Sequence, residues 1–303
     1  MADVAPKFPA SPAAPSVDLS RIRALVCEPS GLLRQGIRVA LNNAGVRNIA
    51  ESNTFLAAHK ACEDSEYDFL VINQEIEAND SNYILRELRS GNLGRDPFIL
   101  AMMLLSSREE PIVRAAIDSG PDDLLLIPFS PDQLTSRLRA LVERRKPFVV
   151  THDYIGPDRR TSTRPGATSA TQFQVPHPVR ARGQGLASDR YERMKQDAQS
   201  MIAIERIKRL AATIEWECNA LTATLRDGKM TPETSFRSLL KLDSVTEELI
   251  ARVRKSLGHT TDSIDAFHEL VKKLKAQPSV ITYSDVETLS TSGRKISGTY
   301  TSR

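Results

Sequence analysis

The run Phe69-Leu70-Val71-Ile72, set between Asp68 and Asn73, constrains this chain most. An extended segment that is apolar on both faces must be covered from both sides. That is the situation of an inner strand in a parallel sheet. Parallel neighbours require crossover connections, commonly helices. The chain supplies them: between residues 21 and 147, apolar runs and amphipathic stretches alternate five times. "RIRALVCE", "VRNIAES", "YDFLVIN", "PFILAMMLL" and "DDLLLIPF" read as strands. "SGLLRQGIRVALNNAG", "TFLAAHKACEDS", "SNYILRELRS", "EEPIVRAAIDSG" and "SPDQLTSRLRALVERR" read as helices. Ser30 and Ser130 open two of them, and Gly45 and Gly91 close two. The predicted fold class is α/β, a (βα)5 doubly wound parallel sheet. In such sheets ligands meet the carboxyl ends of the strands. Here those ends are Glu28, Asn73, Leu105-Ser106 and Ile127.

The pattern changes on either side. Residues 1–20 are rich in Ala, Pro and Ser and are expected to form a disordered arm. Residues 148–187, with many Pro, Gly, Ser, Thr and Arg, read as a linker. Residues 188–276 carry heptad-like apolar spacing, as in Ile207, Ala211, Ile214, Cys218, Leu221 and Leu225, and read as a separate all-α helical module with coiled-coil character. Breaks at Gly228 and Gly258 divide it into helices of about 37, 25 and 16 residues. Residues 277–303 are polar and are expected to be a disordered tail. With 303 residues, about two domains are expected.

Composition narrows the function classes. Aromatic residues are 5% of the chain, too few for a platform that stacks single-stranded nucleic acid. The net charge of +3 does not by itself call for a nucleic-acid or membrane partner. Cys27, Cys62 and Cys218 are odd in number and lack metal-ligand spacing, so reduced thiols in a cytoplasmic protein are expected, with no metal and no cofactor. No run of about 18 apolar residues occurs, so no membrane span is expected.

Three stretches resemble the response-regulator receiver domain of the chemotaxis and phosphorelay type, a flavodoxin-like fold. "ALVCEPSGLLRQGIR" stands where that family has its paired acids. "DFLVINQEIEANDS" stands where it has the phosphoacceptor aspartate. "AAIDSGPDDLLLIPF" stands where it has a glycine landmark, a lysine and a Pro-Phe pair. The resemblance implies a site of two acids and an aspartate that bind Mg²⁺, with a hydroxyl and a lysine that read the phosphoryl group. This chain departs at nearly every position. The acid pair is Glu28-Pro29 and the acceptor is Asn73. The hydroxyl position falls on Leu105, or on Ser106 with a shift of one, and the lysine is Ile127. An amide is a far weaker nucleophile than a carboxylate and offers Mg²⁺ no charge. These residues therefore read as a degenerate phosphoacceptor site, completed by Pro128, whose preceding peptide is expected to be cis by the same resemblance. No catalytic residue is assigned, and the protein is not expected to be an enzyme.

"DYIGPDRR" and the later "VPHPVRAR" resemble segments that trail receiver-like domains in some alphaproteobacterial proteins. Arg159 and Arg160 are candidates for meeting an acidic partner. Tyr191, Met194 and Met201 are candidates for an open apolar stripe that pairs two copies of the chain or docks another protein. "DAFHELVKKLK" departs from the pattern around a phosphotransfer histidine, so His268 is expected to be a solvated or half-buried helix residue. The expectation is a phosphorylation-independent pseudo-receiver that acts as an interaction adaptor for signalling proteins. Two alternatives are a nucleic-acid-binding regulator that uses the basic linker and helical module, and a receiver phosphorylated by atypical chemistry. Nucleic acid is the less expected partner, because no helix-turn-helix signature is present.

Overall fold

The structure is a computed structural model and describes residues 17–77, 79–159, 171–277 and 281–301. The expected arm and the centre of the expected linker, Arg160 included, largely lie outside these. The described chain forms two units. The first runs through Phe148 and takes in segments from Ile155 and from Gln174 to Lys195. The second holds Val149–Tyr154 and the chain from Gln196 onward.

In the first unit the five expected strand-helix pairs are present. They are β1 (Arg23–Cys27), α1 (Gly31–Ala44), β2 (Asn48–Ser52), α2 (Phe55–Asp64), β3 (Phe69–Asn73), and, after a two-strand turn of β4 (Glu75–Ile76) and β5 (Asn79–Asp80), α3 (Asn82–Ser90). Then follow β6 (Leu100–Leu105), α4 (Glu110–Asp118), β7 (Asp123–Leu126) and α5 (Pro131–Glu143). The sheet order is β2-β1-β3-β6-β7, and the pairings are parallel. This is the flavodoxin-like receiver fold.

The run that opened the argument behaves as its composition requires. Phe69 and Val71 face one core with Ile37 and Leu41 of α1 and Leu134 and Leu138 of α5. Leu70 and Ile72 face the other, with Ala58 and Cys62 of α2, Ile84 and Leu88 of α3 and Ala116 of α4. All four are fully buried. Each such side chain favours folding by about 1.5–3 kcal/mol relative to exposure. The caps also match: Ser30 accepts from Leu33 N–H, Ser130 forms a capping box with Gln133, and Gly45 and Gly91 end their helices in the left-handed region.

The expected linker is more structured than its composition suggests. It contains short strands β8 (Phe148–Val150), β9 (Ile155–Pro157) and β10 (Gln172–Phe173), and a short helix α6 (Pro178–Gly183). The "VPHPVRAR" segment supplies α6, with the His177 side chain as its N-cap. Arg182 Nε of α6 lies 2.6 Å from Asp68 Oδ2. At the front, Leu19–Arg21 form a 3-10 turn whose Asp18 cap accepts from Ser20 N–H.

The second unit is a helical bundle built from the rest of α7 (Ser188–Arg226), α8 (Pro232–Leu257), α9 (Asp262–Ala276) and α10 (Tyr283–Thr301). Two domain expectations need correction. The unit boundary falls after Lys195, inside α7, so the helical unit does not begin at 188. The expected tail is helical: Val286, Leu289 and Ile296 of α10 are buried against Ile214 and Cys218 of α7 and Phe267 and Val271 of α9. A Cβ added at Gly293 would stand 3.0 Å from Cys218 Sγ, so the glycine lets α10 approach α7 closely. No described helix is long and apolar enough to cross a membrane.

Candidate functional site

The site stands at the carboxyl ends of β1, β3, β6 and β7. β1 and β3 are neighbours, which brings Glu28, just past Cys27, beside Asn73, the last residue of β3. Asn73 Nδ2 donates to Glu28 Oε2 at 2.8 Å. Glu28 Oε1 accepts from the Ser30 backbone N–H at 2.8 Å, and Asn73 Oδ1 accepts from Glu75 N–H at 3.1 Å. Glu28 is 1% exposed and Asn73 7%. Both carboxylate oxygens of the one remaining acid are thus engaged by neutral donors. The Arg34 guanidinium donates to the Glu28 backbone carbonyl at 2.7 Å and to the Glu51 carboxylate at 2.9 Å.

The other aligned positions lie at the ends of β6 and β7. Leu105 closes β6 and is buried in the core. Ser106 is exposed beyond the strand end. Ile127 packs its side chain on the α1–α5 core and donates its N–H to Leu105 O at 2.8 Å. The Ile127-Pro128 peptide is cis. The structure therefore brings Glu28, Asn73, Leu105 and Ile127 to one end of the sheet. At these aligned positions stand one acid, an amide and two aliphatic side chains.

Two candidate partner residues, Arg159 and Tyr191, are placed otherwise than expected. Arg159 Nη2 donates to the Pro121 carbonyl of its own unit, so its guanidinium is occupied internally. Tyr191 is half-buried, and its hydroxyl donates to Asp96 Oδ2 at 2.6 Å. It is therefore not part of an open stripe. Burial holds the Asp96 carboxyl above the usual range, against the lowering effect of that hydrogen bond. Met194 and Met201 are exposed, at 44% and 47%, but Ala198 between them is buried. His268 is 8% exposed and faces Asp243, not solvent.

A polar cluster at the opposite end of the strands was not expected. Asp122, immediately before β7, accepts from Arg89 Nη2 at 2.9 Å and from Arg145 Nε at 2.8 Å. Both guanidiniums lie over the Phe148 ring, at 5.1 and 5.0 Å from its centroid. Gly120, a glycine landmark of the sequence, borders this cluster. Its φ is +87°, and an added Cβ would stand 2.8 Å from the Ile155 carbonyl oxygen. The segment Ile155–Gly156 of the "DYIGPDRR" motif therefore packs against the domain at a point where only glycine fits. The glycine and the motif were visible in sequence, but their meeting was not.

No family model matches the chain. Response regulator protein PmrA of Pseudomonas aeruginosa is 35% identical over 124 residues, 41% of this chain and 53% of that protein. Phosphate regulon transcriptional regulatory protein PhoB of the same organism is 29% identical over 123 residues, 41% of this chain and 52% of that protein. The chain thus spans about half the length of the curated relatives it matches. Among solved structures, chemotaxis response regulator CheY4 of Vibrio cholerae is 16% identical, with a TM-score of 0.36 and coverage of 40% of this chain and 98% of that one. The N-terminal two-fifths of the chain is a receiver domain of the response-regulator type.

Proposed function

We propose that this chain is a non-enzymatic, cytoplasmic signal-transduction protein: a pseudo-receiver that works without phosphorylation, as a protein–protein interaction adaptor in a two-component or phosphorelay-type pathway. The observation that carries the reading is the hydrogen bond between Asn73 and Glu28. The position that would attack phosphorus holds an amide, and that amide occupies Glu28, the acid at the aligned acid-pair position. Hard divalent cations of the Mg²⁺ kind need charged oxygen ligands in near-octahedral array. One carboxylate already bonded to two N–H donors does not provide them. The domain surface and the helical unit then act through contacts with signalling proteins, in one fixed conformer of the domain.

Incubation of the intact chain with acetyl phosphate and Mg²⁺, followed by intact-mass analysis, tests the reading. No phosphorylated species is expected. An acid-labile phosphate within residues 21–147 would overturn it and favour atypical acceptor chemistry.

A second reading, a nucleic-acid-binding regulator, is favoured by relatives whose names describe transcriptional regulatory proteins. Against it stand the lengths of α7 and α8, 39 and 26 residues, well beyond a recognition helix in a helix-turn-helix. Salt-dependent retention on duplex DNA would favour this second reading over the adaptor.

A further inference from the structure

We propose that Asp243, Glu247 and His268 form a binding site for one divalent transition-metal ion of the zinc type. Asp243 and Glu247 lie four residues apart on α8, so they share one face of the helix. His268 on α9 points at that face. Its Nε2 lies 3.0 Å from Asp243 Oδ1 and 3.9 Å from Glu247 Oε1. One ligand atom from each residue lies within 4.8 Å of the other two.

These separations are close to those a metal would impose. With metal–ligand bonds of about 2.0–2.2 Å in tetrahedral geometry, ligand atoms stand about 3.3–3.6 Å apart. The observed 3.0 and 3.9 Å bracket that range. Small side-chain rotations therefore convert the arrangement into a coordination shell. An imidazole nitrogen with two carboxylate oxygens suits zinc and its first-row neighbours better than Mg²⁺ or Ca²⁺, which favour all-oxygen shells.

The surroundings fit a site with an open position. The other oxygen of Asp243, Oδ2, is held by Lys275 Nζ, which orients the carboxylate and leaves Oδ1 toward His268. The positive charge of Lys275 offsets part of the negative charge of the two acids and so tempers affinity. Asp243 and His268 are 7% and 8% exposed. Glu247 stands on the open side, where its side chain is 60% exposed. A cavity of about 530 Å³ adjoins the cluster, lined among others by Glu247, Asp265, His268 and Glu269. Water or a small anion in that cavity would complete the coordination.

The test is titration of the full chain, stripped with a chelator, with Zn²⁺ alone, followed by Co²⁺ as a spectroscopic probe. One saturable equivalent is expected, with visible d–d absorption of a four- or five-coordinate Co²⁺. Glu247→Gln changes a largely exposed side chain and is not expected to disturb the bundle. It should lower affinity about tenfold or more, since even outer-shell losses cost about that much. His268→Gln should abolish the Co²⁺ band. Absence of binding by the unmodified chain at about 100 μM Zn²⁺, about a hundredfold above the Kd of a micromolar site, would overturn the proposal. So would equal affinity in Glu247→Gln, which would remove Glu247 from the site, or in His268→Gln, which would place the ion elsewhere.

Discussion

Glu28 and Asp122 are both buried acids of the first unit, at opposite ends of its strands, and they are solvated by the protein in different ways. Asp122 meets two guanidiniums, those of Arg89 and Arg145, and the Ala101 N–H. Glu28 meets a side-chain amide and a backbone N–H. A buried charge is tolerated when opposite charge or several hydrogen bonds replace its hydration. Asp122 has both kinds of compensation and Glu28 only the weaker kind. The difference separates a brace from a remnant. At the Asp122 end, charge, aromatic face and backbone carbonyls lock the start of β7 to the end of α3 and to the segment after α5. At the Glu28 end, the carboxylate is held by neutral donors alone, the Asn73 amide and the Ser30 N–H.

The sharpest way to break this comparison is to remove the charge from the brace. Asp122→Asn leaves two buried guanidiniums without their partner, and unpairing a buried ion pair costs about 3–5 kcal/mol. A fall of that size in urea-unfolding stability is expected at neutral pH. The native group has a pH signature. Burial raises the Asp122 carboxyl, but Arg145 and Arg89 outweigh it and hold it below the usual carboxylate range. A folded-state value below the unfolded one means stability that is full above the unfolded value and lost as pH falls through the folded value. The acid limb of the unfolding profile should therefore soften in Asp122→Asn. An unchanged midpoint in urea would mean that the cluster is not a brace.

Gly120→Ala comes next in size. It forces a side chain into the left-handed region, at about 1–2 kcal/mol, and places Cβ 2.8 Å from the Ile155 carbonyl oxygen. Destabilisation of at least that amount is expected. Protease cleavage near residues 155–157 should rise in parallel, because the segment loses its seat. Destabilisation without new cleavage there would confine the role of Gly120 to its own turn.

What sequence could show follows the same division. Strand and helix order was legible because apolar runs such as Phe69–Ile72 and caps such as Ser30 are local signals. That Glu28 and Asn73 share one end of the sheet was legible because both residues sit at strand ends; the hydrogen bond between them was not. The Asp122 brace was not, since Arg89, Arg145 and Phe148 come together only in three dimensions, and an arginine in "RELRS" looks like any exposed helix residue. α10 was missed for a different reason. Its Val286, Leu289 and Ile296 are sparse among Ser, Thr and Gly, which have lower helix propensity than Ala or Leu. Packing on α7 and α9 stabilises what local preference does not. The same long-range packing brings His268 to Asp243, a meeting that spacing along the chain does not announce.

The smallest effect probes the remnant directly. Asn73→Asp replaces the donor that Glu28 now accepts from with a second carboxylate, at a contact of 2.8 Å in the unmodified protein. A lost buried hydrogen bond with an unsatisfied partner costs about 1–3 kcal/mol, and a site open to the strand ends should fall at the low end. Two carboxylates in one pocket raise the value of one of them in the folded state. Such a group destabilises at pH above its unfolded value, and the penalty is relieved as pH falls through the raised folded value. The Asn73→Asp deficit should therefore shrink on the neutral side of the usual carboxylate range, while the Asp122→Asn deficit shrinks only on its acid side. Millimolar Mg²⁺ should also recover part of the Asn73→Asp loss and none of the Asp122→Asn loss, because only the first variant creates a pair of carboxylate ligands. Equal recovery of both variants by Mg²⁺, or of neither by acid, would erase the distinction between the two ends of the sheet.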